Sequence, residues 1–382
     1  LVLSDGSVFE GRGFGGFSST MEPVVAEIVF NTSMSGYQEI LTDPSYAGQA
    51  MCFTVPHIGN VGTNREDFES EKVHVDAVFV REHCEVPSNF RSQQTFNEFL
   101  KEHKTPAIAG IRTRDLTLHL RTHGAQMGAI GPKSIPAAVL QEQAKAAGSM
   151  SGKDYVHAVS CKESYPWYEL PWDPVSNTYP HLTPDSVWKR PHVVVLDCGV
   201  KRNILRLLLS EGFRITVVPA STSASEIREL QPDGIFLSNG PGDPAALPGI
   251  IEMVKGILGE YPIFGICLGC QILAHALGGK TFKLRFGHRG ANHPILERST
   301  GKIEITSQNH GFAVDAESMA QRGGSFGSDE VEVTHLNLND KTVSGIAVPS
   351  KKAFAVQFHP ESSPGPHDSQ HLFKRFFSLV AQ

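Results

Sequence analysis

Pro262-Ile-Phe-Gly-Ile-Cys-Leu-Gly-Cys-Gln271 reads as an apolar strand that turns into a helix within a residue of Cys267. A side chain at position 265 or 269 would collide with neighbouring backbone, so glycine at both suits a tight strand-turn-helix elbow. This is the arrangement that exposes a nucleophile, here with cysteine in place of serine. The sulfur would sit beside a helix N-terminus, whose partial positive charge favours thiolate. The Leu268 N–H would face a developing oxyanion. From these residues alone, a buried cysteine ahead of a glycine-lined turn stays open as the plainer alternative. Cys267 and Cys270 also form a C-x-x-C spacing, but no second such pair exists to complete a zinc site. Redox-type flanks are missing as well, and a stable disulfide is not expected at this spacing.

Around the elbow the pattern is regular. His192–Asp197, Arg214–Val218, Gly234–Leu237 and Pro262–Ile266 read as short apolar strands. Arg202–Glu211, Ser223–Leu230, Ile250–Leu258 and Gln271–Leu277 read as helices between and after them. Alternation with short links predicts an α/β fold, a mostly parallel sheet flanked by helices, with reacting groups at strand C-terminal ends. A thiol nucleophile needs a base, and the base an orienter. His359-Pro-Glu361 ends a further apolar strand, Ala353–Phe358, and is the best candidate pair among 17 histidines. Ser238-Asn-Gly-Pro-Gly-Asp-Pro244 forms a rigid loop after its strand, able to turn backbone N–H groups toward a ligand. It lacks the Gly-Lys-Ser or Gly-Lys-Thr of a phosphate loop.

The first 150 residues predict a separate, mixed α/β domain. Ser7–Phe9, Val24–Phe30 and Val73–Val80 read as strands, and Phe96–Lys101 and Ile135–Ala147 as helices. Gly11-Arg-Gly-Phe-Gly-Gly16 matches G-x-G-x-x-G, yet Pro23 and polar residues follow where a helix should open, so a glycine-rich turn is expected. Residues 151–190 hold all three tryptophans among many prolines and read as an extended connection to the domain spanning 191–382. The 34 basic and 40 acidic residues give a net charge of −6, which excludes the basic surface of a nucleic-acid binder. No apolar run reaches membrane-spanning length. Six scattered cysteines suit a reducing, cytoplasmic setting better than a disulfide framework. His288 and His293 lack a third ligand at suitable spacing, so no metal site is expected.

Taken together, Gly-Ile-Cys-Leu-Gly, Asn-Gly-Pro-Gly-Asp-Pro and His-Pro-Glu resemble the class I glutamine amidotransferases. Over nearly all its length the chain is similar to the glutamine-hydrolysing small subunits of carbamoyl-phosphate synthetase. Phe30-Asn-Thr-Ser-Met-Ser-Gly-Tyr-Gln-Glu-Ile-Leu-Thr-Asp-Pro-Ser45 resembles their N-terminal domain. Pro56-His-Ile-Gly-Asn-Val-Gly62, Lys201-Arg-Asn-Ile-Leu205, Gln308-Asn-His-Gly-Phe312 and Ser363-Pro-Gly-Pro-His-Asp368 extend the match. The resemblance implies Cys267, His359 and Glu361 as catalytic groups. It implies Ser45, Gly240, Gly242, Leu268, Gln271, Asn309, Gly311 and Phe312 as the glutamine site, lying between the domains, with Gly240 and Leu268 as oxyanion donors. No cofactor is implied in this chain. ATP and Mg are expected on a large synthetase partner, which takes the ammonia and makes carbamoyl phosphate for arginine and pyrimidine biosynthesis. The chain departs from the family at Cys270, where histidine is usual. A stand-alone γ-glutamyl thiol hydrolase and a silent regulatory scaffold are the competing readings.

Overall fold

The computed structural model describes residues 1–320, 325–326 and 329–381, and it divides into two compact units. The first comprises Leu1–Ser151 with Arg285–Gly290, and the second Gly152–Leu284 with Ala291–Gln382.

The first unit is built on a seven-stranded mixed sheet. Strands Val24–Asn31, Gln49–Phe53, Ala77–Val80 and Pro106–Ala109 run parallel to one another in its middle. Short antiparallel strands flank them, Val2–Leu3 beside Gln126–Ile130 at one edge and Arg12–Gly15 at the other. Aromatic residues Phe96 and Phe99, on a helix capped by Thr95 and Glu98, close one face. Two local expectations change. The glycine-rich run is not a turn but the edge strand Arg12–Gly15, since side chains at 11 and 13 would come within 2.4 Å of the Ala109 carbonyl and 2.3 Å of the Phe17 ring. Ser7–Phe9 forms no strand and makes only an isolated bridge from Val8 to Val2.

The second unit carries a ten-stranded sheet. Strands Arg214–Pro219, His192–Asp197, Gly234–Leu237, Ile263–Ile266 and Ala353–Val356 lie side by side and parallel. A sheet covered on both faces must be apolar on both sides of each strand, which is why these segments read as unbroken hydrophobic runs. Val194, Leu196, Ile235 and Leu237 enter one core layer with helices Pro248–Ile257 and Leu268–Ala276. Val193, Val195, Phe236 and Phe264 point the other way, against helices Arg202–Ser210 and His371–Val380. The Pro- and Trp-rich stretch belongs to this unit. Its Tyr165–Trp167 forms the edge strand beside Arg214–Pro219, and Tyr168, Leu170 and Leu182 pack on the second core layer.

Candidate active site

The strand Ile263–Ile266 ends at Cys267, and the helix begins at Leu268. Cys267 adopts φ 54° and ψ −102°, a backbone conformation that residues with a side chain rarely hold. It persists because the surroundings enforce it. The Cys267 N–H donates to the Val356 carbonyl at 2.8 Å, anchoring the turn to the neighbouring parallel strand. A Cβ on Gly265 would lie 2.8 Å from the Gly269 carbonyl carbon, and one on Gly269 would lie 2.2 Å from the Leu237 oxygen. The steric reading of the two glycines therefore holds at both positions. Gly269→Ala should cost about 1–3 kcal/mol through forced backbone movement. Since displacement of about 1 Å at a reacting atom costs roughly 100-fold in rate, catalytic activity should fall further than stability suggests. Parallel melting and rate measurements check this; unchanged values in both would refute the close approach.

His359 lies just past the adjacent strand and is held by its N–H, which donates to the Ser307 carbonyl at 2.9 Å. Its Nδ1 is 2.6 Å from Oε1 of Glu361, which fixes the proton on that nitrogen because a carboxylate can only accept. The imidazole Nε2 has no hydrogen-bond partner among the described residues and is left for chemistry. Burial alone would lower the imidazole's proton affinity. The Glu361 carboxylate and the Cys267 sulfur more than offset this and hold it above the ordinary histidine range. Glu361 is likewise pushed up by burial, but the Lys201 ammonium and His359 hold it well below the usual carboxylate range.

Lys201 supports the carboxylate, a role that its local sequence does not assign. Its Nζ donates to Oε1 of Glu361 at 2.8 Å and to the Ser362 carbonyl at 2.6 Å, fully inside the protein. Asn203 Nδ2 donates to the Glu361 carbonyl at 2.5 Å. One local signal existed: Lys201 is the N-cap of the helix Arg202–Ser210, where a cation opposes the helix dipole and so needs an anionic partner.

Several of this unit's substrate-site candidates, Gly240, Leu268, Gln271, Asn309 and Phe312, are linked to the elbow by contacts. The strand Ile303–Val314 runs beside the elbow. Its Asn309 carbonyl accepts from Cys267 Sγ at 3.4 Å, and its Phe312 carbonyl accepts from Gln271 Nε2 at 2.8 Å. Gly311 lies between them. Gly240 passes so close to Cys198 that a Cβ would sit 2.1 Å from the Cys198 oxygen and 2.8 Å from Leu268 Cδ2, making Gly240 and Leu268 neighbours. The Leu268 N–H opens its helix and has no intrahelical acceptor. Gly242, with φ 90°, takes a turn that favours glycine. Ser45 belongs to the first unit, in the short helix Pro44–Tyr46, where its N–H donates to Asp43 Oδ1 at 2.9 Å. Cys270 is a free thiol, fully buried in the core layer on the opposite side of the sheet from the layer that holds Cys267. Burial pushes that thiol far up, away from thiolate. Among the described residues no group of three or more His, Cys, Asp or Glu side chains is arranged to hold a metal, and no helix is long and apolar enough to cross a membrane.

A cysteine on a strained strand-to-helix turn, beside an oriented histidine and carboxylate, has the arrangement of a thiol-nucleophile site on an α/β sheet. In agreement, the family profile of glutamine amidotransferase class-I matches residues 194–379. The profile of the carbamoyl-phosphate synthase small chain, CPSase domain, matches residues 1–130. The carbamoyl phosphate synthase small chain of Syntrophotalea carbinolica is 49% identical over 380 residues, covering 100% of this chain and 97% of that one. That of Thermosynechococcus vestitus is 49% identical over 386 residues, covering 100% and 96%. That of Neisseria meningitidis serogroup A is 49% identical over 380 residues, covering 98% and 96%. The chain belongs to the carbamoyl phosphate synthase small chain family and contains a class-I glutamine amidotransferase domain.

Proposed function

We propose that Cys267 attacks the side-chain amide of glutamine, and that this chain passes the released ammonia to a large synthetase subunit. The Cys267 thiol passes its proton to Nε2 of His359 as the sulfur bonds to the amide carbon, and the oxyanion rests on the Gly240 and Leu268 N–H groups. The protonated Nε2 of His359 gives its proton to the departing nitrogen, the C–N bond breaks, and ammonia leaves a thioester. His359 then takes a proton from water, whose oxygen attacks the thioester, and glutamate and the thiol are restored. Glu361 keeps the imidazole's proton on Nδ1 throughout, as in other triads. The observation that carries this reading is the Cys267 elbow, with φ 54°, next to an imidazole whose Nδ1 is locked by Glu361 at 2.6 Å. Gln271, Asn309, Gly311, Phe312 and Gly242 surround the substrate. The large subunit binds ATP and Mg and makes carbamoyl phosphate for arginine and pyrimidine synthesis, in the cytoplasm.

The test is ammonia release from glutamine by the purified chain, together with glutamine-dependent carbamoyl phosphate synthesis with and without the large subunit. No glutaminase activity in either setting would refute the reading. The resemblance also assigns Ser45 to substrate binding, as a hydroxyl that hydrogen-bonds glutamine without reacting. Ser45→Ala should then raise KM about fivefold, the loss of one hydrogen bond of roughly 1 kcal/mol, with kcat little changed. An unaltered KM would remove Ser45 from the site.

A further inference from the structure

Gln357 is a polar residue inside the apolar run Ala353–Phe358, two positions before His359, and it is fully buried. Its N–H donates to the Ser344 carbonyl at 2.9 Å, which ties it to the strand Val343–Val348. Its side chain meets Gln271, whose own N–H donates to the Cys267 carbonyl at 3.2 Å, one turn along the helix from the nucleophile. Gln271 Nε2 is 2.8 Å from the Phe312 carbonyl and 3.1 Å from Gln357 Oε1. The chemistry of these partners fixes both amides. A backbone carbonyl only accepts, so the Gln271 atom beside Phe312 is the NH2. Its second N–H then needs an acceptor, so the Gln357 atom beside it is the carbonyl oxygen. Both Gln271 N–H groups are engaged in this way, and its Oε1 has no hydrogen-bond donor among the described residues. Gln357 Nε2, in turn, is buried with no acceptor among the described residues. A stranded donor of that kind destabilises a fold, so its presence calls for a use of the carbonyl beside it.

We propose that Gln357 is a positioning residue for substrate: it locks the Gln271 amide so that the carbonyl, and not the NH2, is presented to glutamine. The inference rests on the function proposed above, in which Gln271 lines the substrate site. An unlocked amide has two orientations of nearly the same shape, one offering an acceptor and the other two donors. The Phe312 carbonyl holds one Gln271 N–H, but it also receives His310 Nδ1 at 2.7 Å and is shared between two donors. Gln357 Oε1 supplies the second anchor. With both in place, a flip would set the Gln271 oxygen against two other oxygens at once. Glutamine carries N–H donors at its α-ammonium and its side-chain amide, and only the carbonyl orientation of Gln271 complements them. Gln357 acts through Gln271 alone, since its Oε1 is taken by that residue and its Nε2 reaches no acceptor. Its contribution is therefore to binding and not to the bond that breaks.

The test measures glutamine hydrolysis by the full chain carrying Gln357→Met, Gln271→Met, both together, and Gln357→Glu. Methionine keeps the length of the side chain and removes the acceptor. Gln357→Met should raise KM for glutamine about 10-fold, with kcat within about twofold of wild type. Gln271→Met should raise KM at least as much. The double variant should do no worse than Gln271→Met, because Gln357 acts only through the residue already removed. Glutamic acid, neutral at a site this enclosed, keeps an oxygen acceptor in the same place, so Gln357→Glu should hold KM within about twofold of wild type. That variant decides the matter if Gln357→Met does not fold: a KM about 10-fold higher with the acceptor retained would overturn the proposal. A wild-type KM in Gln357→Met, additive effects in the double variant, or a fall in kcat with KM unchanged would each overturn the positioning role and leave the thiol mechanism standing. Absence of glutamine hydrolysis by the wild-type chain, alone and with the large subunit, would refute the functional reading, and this inference with it.

Discussion

Cys267→Ser is expected to lower glutamine hydrolysis by roughly 10⁴-fold or more, the scale seen when a catalytic nucleophile is removed. Serine differs by a single atom and can still donate to the Asn309 carbonyl that now accepts from Sγ at 3.4 Å, so the turn should keep its shape. What changes is the chemistry. A hydroxyl gives up its proton far less readily than a thiol, and the sulfur that helps hold the neighbouring imidazole above the usual histidine range is gone, so the charged pair that makes the nucleophile does not form. Carbamoyl phosphate synthesis from added ammonia, measured on the assembled complex, should be unaffected, which separates loss of the nucleophile from loss of the partner. Glutaminase activity near the wild-type level would mean that another group attacks the amide.

Lys201→Met should be the most damaging change to stability. The ammonium and the Glu361 carboxylate are both enclosed, with side chains 4% and 0% exposed, so removing the cation leaves a carboxylate with only His359 to balance it. Breaking one side of such a buried pair costs about 3–5 kcal/mol. The pH dependence identifies the cause. Glu361 is held below its unfolded value, so its stabilising contribution is present above the unfolded carboxylate range, near pH 4.5, and is lost as pH falls through the depressed folded value. The gap between wild type and variant should therefore be widest at neutral pH and narrow in acid. His359 behaves oppositely: its raised folded value stabilises fully below the unfolded range, near pH 6.5, and the contribution is lost as pH climbs through the folded value. Melting temperatures from pH 3 to pH 9 give the comparison. A gap that does not vary with pH would assign the loss to packing of the lysine stem rather than to charge.

Much of the elbow was legible in the chain because its requirements are local. Two glycines flanking Cys267 answer a collision with backbone only a strand away, and the apolar runs around them answer burial on both faces of a sheet. The same holds for His359 and Glu361, which a single turn joins across Pro360. Lys201 was not legible in this way. It lies 160 positions from Glu361, and the strands that precede the two residues, His192–Asp197 and Ala353–Val356, have two others between them in the sheet, so the pairing exists only in the folded unit. The side of the sheet that takes Cys270 was equally hidden, since one turn of helix separates it from Cys267 and only the packed layers distinguish the two thiols. In the first unit, the glycines near Arg12 read as a turn, and only the pairing with Pro106–Ala109 shows them to be an edge strand. Phe90 is the clearest case. A phenylalanine in a loop is read as core or surface only when its neighbours are known, and here the folded chain leaves the ring 88% exposed. Local sterics and hydrophobic period are written residue by residue, whereas charge pairing and exposure depend on which distant segments share a boundary after folding.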